Sequence, residues 1–128
     1  MLGIGILVAS IAAFLMSSVY YVVATPIERQ AVGPAALDRG RPAPWKVVVE
    51  LLRTVVVACA IAWLAHEAGQ LSVGRTVPIA LVSWVGFPLV LLSGSVLWDR
   101  VHPATAAMHA GDWLLKLLLI AIVIGLVH

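Results

Sequence analysis

Five ionisable side chains lie inside apolar segments, where a charge is costly. Glu50 and Arg53 are three residues apart in one segment, while His109, Asp112 and Lys116 follow spacings of three and four in another. These spacings place each set on one face of a helix. A charged side chain at the bilayer centre costs about 2.5–3.5 kcal/mol on insertion scales. We therefore expect the two sets to face each other as an intramembrane charge cluster.

The elements that carry these side chains are predicted from composition. The chain has 128 residues, of which 62% are hydrophobic and 11% are charged, whereas about a quarter are charged in a soluble domain. A helix needs about 20 apolar residues to cross a hydrocarbon core about 30 Å thick. We predict an all-α membrane protein with one domain, residues 1–128, containing four transmembrane helices in an antiparallel bundle. The predicted spans 1 to 4 cover residues 2–24, 45–68, 76–98 and 104–127.

Span 1 has one narrow face of small side chains. They recur every four residues and are Gly5, Ala9, Ala13 and Ser17. Because lipid tails are as apolar as leucine, helices in bilayers associate by close backbone approach over such faces. The face is predicted to pack on a neighbour, either in this chain or in another copy.

The end of span 1 is predicted from a capping pattern. Thr25-Pro26-Ile27-Glu28 has the spacing of a capping box with proline at the first helical position. We expect span 1 to end at Ala24 and a short surface helix to follow and stop at Gly33. Tyr20 and Tyr21 would then lie in an interfacial aromatic belt.

Span 3 contains Pro88 in its interior. An interior proline removes one backbone hydrogen bond and kinks a helix, so a kink is expected there. The residues Trp84, Gly86 and Phe87 precede it and are predicted to pack span 3 closely against a neighbour, with a ligand pocket lined by Trp84 as the alternative.

Orientation follows from the basic residues of the short loops. The first and third loops with their flanks contain five basic residues, whereas the loop on the opposite side contains one, Arg75. The five are Arg29, Arg39, Arg41, Lys46 and Arg100. We predict a multi-pass protein of the cell (inner) membrane, with both termini outside and loops 25–44 and 99–103 in the cytoplasm.

The charge cluster is open to two interpretations. At about 1.5 Å per residue, both charged sets lie in the cytoplasmic half of the membrane. We predict the pairs Arg53–Asp112 and Glu50–Lys116, with His109 beside them; pairing within each helix is the alternative geometry. The cluster either holds the bundle together, or acts as a proton or ion relay in a small transporter or channel subunit, because buried ionisable groups in membranes commonly mark pathways.

Other function classes find no support in the residues. No catalytic serine or cysteine set and no glycine-rich phosphate loop is evident, so the protein is predicted not to be an enzyme. His66 and His109 lie at different membrane depths and cannot share a haem; no cofactor and no metal are expected. Basic residues interleaved with aromatics are lacking, which excludes nucleic acid. The expected partners are the lipid bilayer and further copies of the chain, with any small-molecule or ion substrate unknown.

The second half of the chain resembles a known family. Trp84-Val85-Gly86-Phe87, then Trp98 to Pro103, then His109-Ala110-Gly111-Asp112-Trp113-Leu114-Leu115-Lys116 resemble the membrane family named domain of unknown function 1761. The apolar first helix ending in Tyr20-Tyr21 is similar to that of the family. The resemblance implies a small four-helix bacterial membrane protein and implies no activity.

Overall fold

Four long apolar helical segments make up the fold. The computed structural model describes residues 2–33, 43–69 and 72–127. The helices within these ranges are α1 (Leu2–Val32), α2 (Pro44–Glu67), α3 (Val73–Gly86), α4 (Pro88–Trp98) and α5 (Pro103–Leu126). With α3 and α4 counted as one segment, four segments are long and apolar enough to cross a membrane. The all-α, four-span prediction is confirmed, while the part of the first loop over 34–42 lies outside the described residues.

The first helix is longer than predicted. It continues through Pro26 to Val32 and ends before Gly33, whose φ of 108° is a conformation that favours glycine. The capping prediction is wrong because the Thr25 hydroxyl donates to the carbonyl of Tyr21, one turn back, and does not cap a new helix. Glu28 is buried at 3% exposure, so this last part of α1 also packs against the protein.

The kink in span 3 is confirmed. The segment from Val73 to Trp98 bends by 17° at Phe87, the residue before Pro88. Phe87 has φ −123° and ψ −77°, outside the helical region. This follows from the chemistry of proline, whose ring disfavours a helical conformation in the preceding residue and removes one N–H donor.

Helix α5 lies at the centre of the bundle. It contacts each of the other four helices. In its most apolar stretch 39% of the residues are buried, against 11% in that of span 3. Ile120 and Ile124 are fully buried in the core, together with Leu117. Gly125 allows α3 to come close, because a Cβ there would lie 2.6 Å from the backbone nitrogen of Val73. The last span therefore provides the surface on which the other helices pack.

The small face of α1 packs within this chain. Gly5, Ala9, Ala13 and Ser17 are all buried. At one end of the row a Cβ on Gly5 would overlap the carbonyl oxygen of Val127, and at the other end Ser17 bonds to Asp112. The row therefore brings α1 against α5 in the same chain. The sequence alone leaves open whether the neighbour belongs to this chain or to another copy.

Candidate functional site

Asp112 lies at the centre of a polar cluster between α1 and α5. Its side chain is 4% exposed and has partners on both oxygens. The Ser17 hydroxyl donates to Oδ1, and the Tyr21 hydroxyl donates to Oδ2 at 3.4 Å. Lys116 Nζ lies 3.5 Å from Oδ2, and its own side chain is 5% exposed. A buried carboxylate thus lies beside a buried ammonium and accepts hydrogen bonds from two hydroxyl groups of a neighbouring helix.

The Tyr21 hydroxyl joins Asp112 to a histidine. Its oxygen lies 2.7 Å from His109 Nδ1 as well as near the Asp112 carboxylate. A tyrosine hydroxyl carries one proton, so when Tyr21 donates to Asp112, the Nδ1–H group of His109 donates to Tyr21. The proton positions along this bridge are therefore coupled.

Tyr20 anchors the same end of α1 to α5. Its hydroxyl donates to the carbonyl oxygen of Met108 at 2.7 Å. The ring lies directly over Gly111, where a Cβ would come within 2.5 Å of the Tyr20 hydroxyl. Both tyrosines therefore contact α5, in addition to any interfacial position.

Helix α2 adds an exposed second part to the cluster. Glu50 Oε1 lies 3.8 Å from Lys116 Nζ, and Glu50 Oε2 accepts a hydrogen bond of 2.8 Å from Arg53 Nη1. The side chains of Glu50 and Arg53 are 43% and 64% exposed, far more than those of Asp112 and Lys116. Charge thus extends from the buried centre of the cluster to the surface of the chain.

A partly open cavity of about 570 Å³ lies over this cluster. It is bordered by α1, α2 and α5, and its lining is polar near the charges and apolar elsewhere. The lining residues are Phe14, Ser17, Ser18, Tyr21, Lys46, Val47, Glu50, Arg53, Thr54, His109, Asp112, Trp113 and Lys116. All five side chains of the predicted charge cluster border it, so the structure brings them together.

The pairing differs in part from the prediction. Glu50 and Lys116 lie close, as the sequence suggested, but Arg53 pairs with Glu50 on its own helix. Helices α2 and α5 meet at the Glu50–Lys116 contact, but α1 lies against α5 far more extensively and supplies the hydroxyl groups that bond Asp112. The contacts of Ser17 and Tyr21 with Asp112 were not predicted, although Ser17 was assigned to the small face. Tyr21 lies four residues after Ser17, so the periodicity of that face is the signal that would have found it.

The packing motif in span 3 is only partly inside the bundle. Trp84 is half-buried and its indole N–H donates to the carbonyl oxygen of Ala110 at 2.9 Å. Gly86 and Phe87 are exposed, and a Cβ at Gly86 would meet nothing within 4 Å. Neither residue is buried within the described part of this chain, so their predicted close packing against a neighbour stays a prediction.

The donor set of the cavity does not resemble a metal site. Over residues 2–33, 43–69 and 72–127, no group of three histidine, cysteine, aspartate or glutamate side chains is placed to hold a metal ion. The Lys116 ammonium instead occupies the space beside Asp112 and lies 5.0 Å from the ring centre of Trp113. A resident cation of the protein itself thus balances the buried carboxylate.

The comparisons with known proteins support a family and no activity. No curated protein and no solved structure matched the chain. Residues 4–125 match the family described as "Protein of unknown function (DUF1761)", and this range covers nearly all of the four apolar segments and every residue of the cluster. The chain therefore belongs to the DUF1761 family.

Proposed function

We propose that this multi-pass membrane protein is a small proton- or ion-coupled transporter or channel subunit, with the Asp112 cluster as its relay. The observation that carries the proposal is the 570 Å³ cavity, because a cluster that served only to hold helices together would not need open space around it. Open space beside buried ionisable groups is typical of ion pathways in membranes.

The spacing of the ionisable groups supports a relay. His109 and Tyr21 are 2.7 Å apart, Tyr21 and Asp112 are 3.4 Å apart, and Asp112 and Lys116 are 3.5 Å apart. The chain of contacts continues from Lys116 to Glu50 at 3.8 Å. The 2.7 Å step is within the distance for direct proton transfer, and the steps of 3.4, 3.5 and 3.8 Å reach that distance with small side-chain movements. The chain joins the buried carboxylate of Asp112 to the exposed one of Glu50.

Proton flux into liposomes tests the relay. The purified protein is reconstituted with an internal pH-sensitive dye, and a potassium gradient with valinomycin provides the driving force. We expect Asp112→Asn to abolish protein-dependent acidification, because an amide cannot take up the proton. Asp99→Asn is the matched control, since Asp99 is exposed and does not line the cavity. Equal flux through wild-type and Asp112→Asn protein would contradict the relay.

The second candidate role is that the cluster holds the bundle together. The observation favouring it is that two hydroxyl contacts, Ser17 to Asp112 and Tyr20 to Met108, tie α1 to α5. The two roles separate in one variant, Asp112→Asn, measured on samples matched for folded protein: lost flux supports the relay even where stability falls, whereas weakened folding with unchanged flux supports the structural role alone.

We propose a non-enzymatic role for the same cavity. Ser17, His109 and Asp112 all border it, and these are the residue types of a nucleophilic triad. However, the Ser17 hydroxyl donates to Asp112, while His109 Nδ1 is bonded to Tyr21. A serine nucleophile is activated by contact with a base such as histidine, and this geometry supports a hydrogen-bonding role for Ser17. Absence of serine labelling by a fluorophosphonate probe would agree with this.

Self-association remains part of the proposal, but on a different surface. The small face of α1 packs against α5. In span 3, by contrast, only 11% of the residues in the most apolar stretch are buried, and many large aliphatic side chains are exposed. Span 3 is therefore the surface we propose for contact between copies. A detergent-corrected mass measurement tests it, and a monomeric mass would exclude a pore formed between subunits.

A further inference from the structure

Arg53 occupies an unusual position for a charged side chain. It lies nine residues after the start of α2, about 13 Å along the helix, in a segment apolar enough to cross a membrane. Its side chain is nevertheless 64% exposed on the surface of the chain. An arginine facing lipid at this depth is costly unless it reaches an anion at the interface. The position therefore requires a counter-charge.

Glu50 supplies that counter-charge only in part. Within the part of the chain that the structure describes, Arg53 donates to Glu50 through Nη1, and a guanidinium group carries five N–H donors. Glu50 is shared with Lys116. Around the cavity three cations, Lys46, Arg53 and Lys116, face two carboxylates, those of Glu50 and Asp112. The lining thus has an excess of positive charge and suits an anion.

The space beside Arg53 is apolar and extended. Two further cavities, of about 350 and 380 Å³, adjoin the first, and Arg53 and Trp113 line all three. One runs along α2 and includes Val49, Leu52 and Val56. The other lies where span 3 bends and includes Phe87, Pro88 and Leu91. A ligand that fits both regions needs an anionic head and a long apolar tail.

We propose that this groove binds an anionic phospholipid, with its phosphate on Arg53 and its acyl chain along the apolar groove beside Trp113. Side chains on a helix point toward its N-terminus, so Arg53 extends toward the level of Lys46, which lies two turns earlier on the same face. Basic pockets between transmembrane helices bind lipid headgroups in this way. The proposal does not depend on the relay, since it concerns lipid retention and not flux.

Native mass spectrometry of the detergent-solubilised protein tests the proposal. The protein is mixed with equal amounts of phosphatidylglycerol and phosphatidylcholine of identical acyl chains, and the bound fraction of each lipid is measured. We expect phosphatidylglycerol adducts to dominate. Glycerol phosphate, added at the same concentration without lipid, should give no retained adduct, because it lacks the acyl chain.

Three substitutions locate the site. Each basic residue near a membrane surface contributes roughly a fivefold preference for anionic lipid, so Arg53→Gln and Lys46→Gln should each lower the phosphatidylglycerol preference about fivefold. Lys46 is exposed on the surface of the chain, so Lys46→Gln keeps the test valid if Arg53→Gln fails to fold. Arg29→Gln is the matched control, since Arg29 is exposed and lines none of the three cavities. The preference of Arg29→Gln for phosphatidylglycerol over phosphatidylcholine should equal that of the wild type.

Several results would overturn the assignment. Equal retention of the two lipids by the wild type would remove the anionic selectivity. An unchanged preference in both Arg53→Gln and Lys46→Gln would place any lipid elsewhere. Strong retention of glycerol phosphate would assign the site to a free phosphate, and a dimer mass lost in Arg53→Gln would assign the groove to a second copy of the chain.

Discussion

The two parts of the charge cluster lie within a few ångströms of each other but in different surroundings. Asp112 and Lys116 on α5 have side chains 4% and 5% exposed, and hydroxyl groups of α1 bond the carboxylate. Glu50 and Arg53 on α2 are 43% and 64% exposed and bond chiefly to each other. The buried pair is surrounded by protein partners, whereas the exposed pair is accessible from outside the chain.

The difference comes from how closely each helix approaches α5. The small face of α1 lets its backbone come against α5, and the hydroxyl groups of Ser17 and Tyr21 reach Asp112 directly. Helix α2 has its bulkier valines and leucines on the outside, and its contacts with α5 are much less extensive. The cavities occupy the space that this looser approach leaves. Close packing on one side and an open groove on the other thus divide a single cluster into two environments.

Removing the buried carboxylate should have the largest effect. Asp112→Ala removes the buried carboxylate beside the Lys116 ammonium and leaves the exposed Glu50 carboxylate at 3.8 Å and the Trp113 ring as its partners. Breaking a buried ion pair costs about 3 kcal/mol or more, so we expect the free energy of unfolding in mixed micelles to fall by about that amount. A loss below about 1 kcal/mol would show that the buried and exposed pairs do not differ in their contribution to the free energy of unfolding.

Replacing both members of the buried pair should restore much of that loss. Apolar residues of similar volume in place of a buried ion pair are often neutral for stability. The double variant Asp112→Leu, Lys116→Met should therefore unfold at a denaturant concentration closer to the wild type than Asp112→Ala does. If the double variant is the less stable of the two, hydrogen bonds to Asp112 and not its charge pairing hold the helices.

The closeness of packing at α5 can be tested without charges. Gly125→Ala places a Cβ 2.6 Å from the backbone of Val73, which cannot move aside as a flexible side chain would. Overpacking of this kind costs about 1–3 kcal/mol. Gly94→Ala is the matched control, because a Cβ there meets nothing within 4 Å. Thermal midpoints of the two variants should differ, with only Gly125→Ala lowered.

The bridge through Tyr21 should contribute less. Tyr21→Phe removes the hydroxyl between His109 and Asp112 while keeping the ring. Side-chain hydrogen bonds between membrane helices contribute about 0.6 kcal/mol on average and at most about 1.7 kcal/mol, so the loss of unfolding free energy should lie in that range. A histidine Nδ1 resonance that does not shift in Tyr21→Phe would show that the bridge is not formed in solution.

The exposed pair should matter least for stability. Glu50→Gln removes a carboxylate that is 43% exposed and whose main partner, Arg53, is more exposed still. When Glu50 is neutral, the exposed Arg53 guanidinium can still reach anionic groups and water at the membrane interface, so the unfolding free energy should fall by less than in Asp112→Ala. Glu67→Gln, a change of the same kind at the exposed end of α2, gives the baseline.

Periodicity and hydropathy predicted most of the fold. The four spans, the kink before Pro88 and the set of ionisable residues follow from local sequence, because each depends on one segment and the solvent around it. The continuation of α1 through Pro26 was missed, since Thr25 can either cap a new helix or bond back to Tyr21. Packing of the last turns of α1 against the protein favours the second arrangement, and no local pattern reports that packing.

The sequence by itself determined that the charges in two spans needed partners, because the cost of leaving a charge alone in lipid is fixed by the bilayer. It did not determine which helix would supply their partners. Tertiary packing decided which helix does so. The small face brings α1 against α5, so that Ser17 and Tyr21 bond Asp112. Helix α2 packs less closely on α5, and the groove lies in the space between them. Interhelical distance depends on the side chains of both helices at once, and it is this distance that made Asp112 buried and Arg53 exposed.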